Sequence, residues 1–563
     1  MAHRDQNPGE QPLQPFSGHA HPAPGPTPAR ARARPRARCL TRGAAALAFG
    51  AAMLLSPAAQ AGPADTARAA AWFDAHKARV PLLRQFVQRM PKGAELHSHL
   101  SGAVYAESWL AWAAADGQCV DTESLAFAAT CPLGEDGKLV PVKRLVEPAL
   151  IGRYNALVDR MSTRNLAHAG RSGHDQFFDA FATFPSMPNA LQRQAEMAAE
   201  VLDRAARQQV LHAELMITFQ GSAVRTLGGQ LPWADETDFA RRLAWLKAQP
   251  QGLEALVGAA RANLDTLHAA LGQQLGCTGA APQPGCGVSL RWLQQITRTA
   301  APEVVFAQFA HAFALAAADP RVVGINLVAP EDHPIALRDY TLQMQMVGFL
   351  SRQYPGVKIA LHAGELALGL VAPQHLRSHI REAVTVAGAH RLGHAVDIGH
   401  EDDAPAILAA MKARRVAAEI CLTSNDVILG VKGRDHPLPV YLAAGVPVVL
   451  ASDDEGISRI DLSNEYLRAA TEHGLGYRAL KQLSRNSLEY SFLPGDSLWA
   501  DAASARPAAA CRRDVPGSEK PSAACRALLD SSERAARQWA LEQAFDRFER
   551  QPDWRAHLAT PRR

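Results

Sequence analysis

The sequence predicts a (β/α)8 barrel of the TIM type, with N-terminal helices and helical or loop insertions. Three observations predict it. Eight short apolar or β-branched runs recur along the 563 residues. Stretches of helical length, rich in Ala, Leu and charged residues, separate them, and strands alternating with helices imply a parallel sheet. Several of the runs end in His, Asp or Glu, and in such a barrel the reacting groups come from the C-terminal ends of several strands.

In chain order the expected strands are 94–99, 209–217, 287–294, 322–328, 357–362, 391–396, 416–422 and 446–452. Val446-Pro-Val-Val-Leu-Ala451 is a short apolar run bounded by turn residues, the pattern of a buried strand. Before the first strand, residues 62–90 read as helices, since Trp72, Leu83 and Phe86 recur among charges. An insertion over about 119–164 follows the first strand, and a long helical insertion over about 220–284 precedes the third. Residues 493–563 form an extension with a Cys-bearing loop and a final helix over 532–550. The expected organisation is one barrel domain over 62–563, without internal repeats.

The chemistry sits at the strand ends. His97-Ser-His99 places two imidazoles two residues apart, hence on one side of a strand, where they can share a divalent metal. His362-Ala-Gly-Glu365, Gly393-His394 and Ser452-Asp453-Asp454 add further groups at the fifth, sixth and eighth strands. On a regular strand Asp453 and Asp454 would face opposite ways, but a turn at the strand end lets both reach one site. Phe177 and Phe181 share a helix face by their spacing of four, a pattern that suits a core stripe as well as a pocket wall. His333 follows the fourth strand and is a weaker candidate for substrate contact. His212, His400 and His436 carry no supporting pattern.

At these residues the chain resembles the adenosine deaminase family of metal-dependent hydrolases, above all its secreted, growth-factor-related branch and bacterial counterparts. The resemblance runs from about residue 80 to 493. It rests on Met90-Pro-Lys-x-x-Glu-Leu-His-x-His-Leu-x-Gly102, His-Ala-Gly-Glu, Gly-His and Ser-Asp-Asp, with Phe177-Phe-Asp-Ala-Phe181 and Arg485-Asn-Ser487 in support. It implies one zinc ion per chain held by His97, His99, His362 and Asp453. It also implies Glu365 as proton donor to purine N1, His394 as base at the attacking water, and Asp454 as hydrogen-bond partner of N7. The implied reaction is hydrolytic deamination of adenosine or deoxyadenosine to inosine or deoxyinosine plus ammonia.

Two departures bear on specificity. Where many relatives carry an Asp that meets the ribose, this chain has Ser101, a hydroxyl without charge. Where the family usually shows a Gly whose N–H meets purine N3, this chain has Ala329, followed by Pro330, which has no N–H. The sugar-side partner is therefore open, and another aminopurine or modified nucleoside stays an alternative. A different metal-dependent hydrolase on the same barrel is a second alternative, although the bridging Lys common in two-metal relatives is absent from the end of the fourth strand. A non-catalytic binding protein is a third.

The N-terminus reads as an export signal. A Pro- and Gly-rich stretch precedes Arg30-Ala-Arg-Ala-Arg-Pro-Arg-Ala-Arg38, an apolar run over 43–55 and the small-residue pattern Ala59-Gln-Ala61. Residues 1–61 hold seven Arg against Asp5 and Glu10, a net +5. The whole chain is +4, so the remainder carries −1. The basic balance belongs to the signal, and a nucleic-acid partner loses its electrostatic basis. No stretch after residue 61 is long and apolar enough to span a membrane. The expected location is periplasmic or extracellular, the expected partner a small purine nucleoside. A homodimer built on the insertion after the first strand is open. Of eight Cys, Cys39 falls in the signal and Cys421 stands alone in the seventh run. Cys119 and Cys131, Cys277 and Cys286, and Cys511 and Cys525 form local pairs that read as disulfides in an exported chain.

Overall fold

The computed structural model describes residues 63–131, 138–183, 193–234 and 238–550. The signal reading of residues 1–61 lies outside them. Eight parallel strands form one sheet in chain order: β1 (Gly93–His99), β2 (Val210–Ile217), β3 (Ser289–Thr297), β4 (Val322–Val328), β5 (Lys358–Ala363), β6 (Arg391–His394), β7 (Ala417–Ile420) and β8 (Val448–Leu450). A parallel bridge between Ser98 and Asp453 links the last strand's end to the first. There Asp453 N–H donates to the His97 carbonyl (2.9 Å), and His99 N–H donates to the Asp453 carbonyl (3.2 Å). The sheet closes into the expected barrel, with the helices between its strands.

All eight expected strands are present, and their boundaries move for local reasons. Pro447 cannot donate to a ladder, so β8 begins only at Val448. β6 ends at His394 because His394 (φ +66°) and Ala395 (φ +49°) leave extended geometry. β3 runs on to Thr297, in register with β4 up to Val328. Cys421, unpaired as its isolation in the sequence implies, is a buried free thiol, but it stands just past β7 at the start of the helix Leu422–Leu429.

The interior of the barrel is not purely apolar. Buried Arg391 on β6 pairs with Glu214 on β2 (2.8 Å) and with Glu419 on β7, and its guanidinium lies 3.7 Å over the Phe492 ring. A buried guanidinium is tolerable only when paired in this way. Glu95 on β1 accepts from the Ser452 N–H (3.1 Å) and hydroxyl (2.7 Å), which ties β1 to the end of β8 a second time.

The helices Pro63–His76 and Val80–Arg89 account for the segment before β1. In the second of them Pro81 occupies the first turn, where its missing N–H costs nothing, and Leu83, Phe86 and Val87 form the buried stripe. Phe86 packs edge-on to Tyr477 and Phe548, so the N-terminal helices share a core with the helices Tyr477–Glu489 and Glu533–Arg550. The insertion after β1 holds a small three-stranded antiparallel sheet, and that before β3 holds the helices Gly221–Gly228, Phe239–Ala248 and Leu253–Gln274. No described helix is long and apolar enough to cross a membrane.

The three expected disulfides, Cys119–Cys131, Cys277–Cys286 and Cys511–Cys525, are all formed. The third joins buried sulfurs within a small core with Leu498, Trp499 and Trp539. It closes a loop of sequence separation 14. Replacing both Cys511 and Cys525 by Ser should lower unfolding stability by about 3 kcal/mol, the chain-entropy value for a loop of this size. Denaturant titration of the oxidised protein checks this; an unchanged midpoint would show that the loop needs no covalent tie.

Candidate active site

Three imidazoles and one carboxylate meet at the C-terminal ends of β1, β5 and β8. His97 Nε2 lies 3.1 Å from His362 Nε2 and 3.4 Å from Asp453 Oδ1. His99 Nε2 lies 3.2 Å from His362 Nε2 and 3.3 Å from Asp453 Oδ1. A tetrahedral ion with bonds of about 2.0–2.1 Å separates its donors by roughly 3.3–3.4 Å. Four of the six separations within the quartet implied by resemblance thus match metal-donor spacing.

The far side of each ring fixes which nitrogen faces the centre. His97 Nδ1 lies 2.7 Å from the Glu419 carboxylate, which can only accept. His362 Nδ1 lies 2.8 Å from Asn326 Oδ1, an oxygen that also accepts the His362 backbone N–H (3.2 Å). His99 Nδ1 lies 2.7 Å from Gln295 Oε1, whose amide nitrogen is turned to Thr218 Oγ1 (3.2 Å). Each Nδ1 therefore carries the proton, and three bare Nε2 lone pairs point at one another beside Asp453 Oδ1, which has no hydrogen-bond partner. That arrangement repels itself unless a cation sits within it, and the polarised outer partners are those of metal-bound histidines.

Strained backbone delivers these groups. Asp453 has φ +61°, His394 +66° and Ala329 +84°, a region that side-chain-bearing residues seldom occupy. The turn at Asp453 lets Asp453 and Asp454 reach the same site, as the sequence required. Two glycines of the quoted motifs are explained by close approach. A Cβ on Gly393 would lie 2.4 Å from His97 Cε1, and one on Gly102 would overlap the Asp454 carboxylate.

A cavity of about 300 Å³ opens beside the quartet. Ser101, Phe177, Phe181, Ala329, Glu365 and Asp454 all line it, together with His99, His362 and Asp453. Phe177 and Phe181 stand on the helix Gly173–Thr183. The sequence reading missed Phe178, Gln295 and Val328, which also line it. Burial, then the charge of Asp453, pushes the Glu365 carboxyl well above the ordinary carboxylate range, and the same two causes raise Asp454. Both are therefore held as neutral acids able to donate. The Glu365 loop is anchored by buried Glu331, whose carboxylate accepts from the N–H groups of Gly364 (3.1 Å) and Glu365 (3.0 Å) and pairs with His379 (2.6 Å).

His394 is buried beside the quartet. Its Nε2 lies 3.6 Å from Glu365 Oε1 and has no hydrogen-bond partner, while its Nδ1 lies 3.0 Å from Asn425 Nδ2. Donor atoms of His97, His362, His394 and Asp453 fall within 4.8 Å of one another, as do those of His99, Asp453 and Asp454. His333 does not line the cavity; its Nδ1 caps the helix Pro334–Gln353. His436, unassigned in the sequence, contacts Asn425 (3.0 Å) behind His394.

Residues 260–499, from the second insertion through β8, match the adenosine deaminase family model. The match covers less than half of the chain. Aminodeoxyfutalosine deaminase of Streptomyces coelicolor is 37% identical over 157 residues, which cover 27% of this chain and 38% of that protein. Adenosine deaminase of Enterococcus faecalis is 33% identical over 177 residues, 31% of this chain and 47% of that protein. The chain thus spans less than half the length of these curated relatives. Among solved structures, adenine deaminase of Arthrobacter aurescens is similar at 20% identity and a TM-score of 0.46, covering 72% of this chain and 94% of that one. The family match ends short of β1 on its N-terminal side, so His97, His99 and Ser101 join the site through the fold, across the Ser98–Asp453 bridge.

Two outcomes test this site. His99→Ala should lose tightly bound metal, measured by elemental analysis of the purified protein, while His394→Ala should keep it; the reverse pattern would replace His99 by His394 in the quartet. Ala329→Gly should raise stability by about 0.5–1 kcal/mol, because glycine takes a positive φ without strain. Thermal unfolding of the two proteins checks that, and an unchanged or lower midpoint would mean the turn is not strained by its methyl group.

Proposed function

We propose that this protein is an exported zinc-dependent aminohydrolase that converts adenosine or deoxyadenosine to the 6-oxo nucleoside and ammonia. The single observation that carries the reading is that the Nε2 atoms of His97 and His99 each lie 3.1–3.4 Å from His362 Nε2 and Asp453 Oδ1, beside a cavity lined by Glu365 and Asp454. The match of residues 260–499 to the adenosine deaminase family model supports the reaction class. Nitrogen and oxygen donors in this number suit zinc. When bound, such an ion supplies Lewis acidity that lowers the pKa of a ligated water from about 15.7 to about 7.

The chain's own residues do the rest. Attack at C6 drives electron density onto purine N1, and Glu365, protonated in its dry position, donates there. Asp454, also neutral, donates to N7. His394 Nε2 faces the attacking oxygen. Ser101 offers its hydroxyl to the sugar, and Phe177, Phe178 and Phe181 supply an apolar wall for the rest of the ligand. Ala329 keeps an N–H for N3.

The lining favours an uncharged nucleoside over a nucleotide. Among the described residues that line the cavity there is no Lys or Arg, while Glu365, Asp453 and Asp454 are acidic. The segment 184–192, which follows the aromatic helix in sequence, contains no Lys or Arg either. A phosphate dianion brought into such a pocket would lose water with no cation to replace it. Export rests on the basic and apolar N-terminal pattern, and the three disulfides are compatible with it.

Ammonia release by the zinc-loaded protein should be seen with adenosine or deoxyadenosine and should fall at least 100-fold with AMP. Glu365→Gln should lower kcat by about 100-fold or more while metal content and fold are kept, since a general acid contributes 10²–10⁴. Turnover of AMP at the rate of adenosine would overturn the nucleoside reading. Full activity in Glu365→Gln would overturn the proton-donor assignment.

A further inference from the structure

Behind His394 runs a chain of hydrogen bonds whose direction is fixed at one end. The Leu438 backbone N–H can only donate, and it donates to His436 Nδ1 (3.1 Å). That nitrogen is therefore bare, and a neutral His436 carries its proton on Nε2. Burial holds His436 neutral, lowering its pKa to about 3. Its Nε2–H meets Asn425 Oδ1 at 3.0 Å, which fixes the side of the Asn425 amide that faces His436. The other side, Nδ2, is a donor only, and it lies 3.0 Å from His394 Nδ1. His394 Nδ1 must accept, so the ring's own proton sits on Nε2.

His394 differs in this from its neighbours. His97, His99 and His362 each turn Nδ1 to an acceptor and present a bare Nε2. His394 alone among these four turns Nδ1 to a donor, and its Nε2 has no hydrogen-bond partner. All the residues of the relay are buried. The two tautomers of His394 have the same charge, so the relay selects a proton's position and not a protonation state.

We propose that Asn425 and His436 are positioning residues that hold His394 as an Nε2–H donor, so that it meets the attacking oxygen with a hydrogen bond and not with a basic lone pair. The Nε2 proton explains why His394, although close to His97, His362 and Asp453, does not compete with His99 as a metal ligand. It also changes the role that resemblance implies for His394. In this state the ring cannot take the water proton at Nε2; it orients the oxygen and stabilises negative charge on it, and Glu365, once it has given its own proton to N1, takes the oxygen's proton and passes it to the departing amine. The functional consequence rests on the deaminase reading, whereas the tautomer itself does not.

The test is a long-range proton–nitrogen correlation spectrum of protein labelled with 15N-histidine, recorded at neutral pH without and with zinc. The His394 signals are assigned by their loss in His394→Gln. Wild-type protein should show His394 and His436 protonated at Nε2. Asn425→Asp, which puts an acceptor where the donor was, should move the His394 proton to Nδ1 and lower kcat on adenosine by about 100-fold with KM changed less than threefold, the scale of losing one donor to a developing oxyanion. His436→Gln, which keeps one donor and one acceptor, should stay within about fivefold of wild type, and His436→Leu should not. Wild-type His394 protonated at Nδ1 overturns the proposal, as does an unchanged spectrum in Asn425→Asp. Should Asn425→Asp not fold, the Gln and Leu variants of His436 decide, and equal kcat in both overturns it. Wild-type protein inactive on every nucleoside but protonated at His394 Nε2 would overturn the deaminase reading and keep the relay.

Discussion

Four electron-rich atoms, each 3.1–3.4 Å from two of the others in a buried place, are the constraint on which the rest of this structure depends. Without a cation each lone pair of the neutral rings faces another, and the carboxylates of Asp453 and Glu419 favour a second proton on His97. The fold meets that cost with outer partners drawn from four strands: Glu419 on β7, Gln295 on β3, Asn326 on β4 and, through Glu419, Arg391 on β6. Nearly the whole barrel is thereby committed to orienting three rings. This is why its interior keeps a paired Arg391 between Glu214 and Glu419 where hydrophobic packing would be simpler.

Barrel closure and site assembly are the same event. The only described contact that makes β1 and the end of β8 into a ladder is the Ser98–Asp453 bridge, flanked by His97 and His99 on one side and carried by a metal-type ligand on the other. Glu95 reinforces the seam by binding Ser452. A barrel that closed in another register would separate the imidazole pair from the carboxylate. The positive φ at Asp453 makes sense in this light. The chain must complete a strand-like bridge and then turn at once, so that Asp454 enters the same cavity.

Much of this was legible in the sequence because the signals were local. A β-branched run followed by His-x-His, His-Ala-Gly-Glu or Ser-Asp-Asp announces both a strand and what its end carries, and the eight runs appear in the barrel in order. Local Cys pairs likewise announced their disulfides. What stayed hidden depends on long-range geometry. Gln295, Asn326 and Glu419 look like ordinary polar residues until the sheet brings each against an imidazole. Phe178 breaks the spacing of four that picked out Phe177 and Phe181, yet it lines the same cavity. His436 sits in a segment without any pattern and gains meaning only from its distance to Asn425. Cys421, expected inside a strand, lies just beyond one, because the strand ends at Ile420 and Cys421 is the N-cap of the helix Leu422–Leu429.

The carboxyls show how one small volume can hold opposite chemistries. Asp453, Asp454 and Glu365 lie around the same cavity, and burial disfavours charge on all of them. Only one can be ionised cheaply, and geometry decides which. Asp453 faces the Nε2 atoms, where a cation would sit, and its second oxygen accepts from the Ser424 hydroxyl (2.7 Å). Asp454 and Glu365 have no such support and feel the charge of Asp453 besides, so they stay protonated. Two acids that favour the neutral form and one that favours the carboxylate are the division of labour the proposed deamination needs. It follows from where each oxygen lies, not from any difference between the residue types.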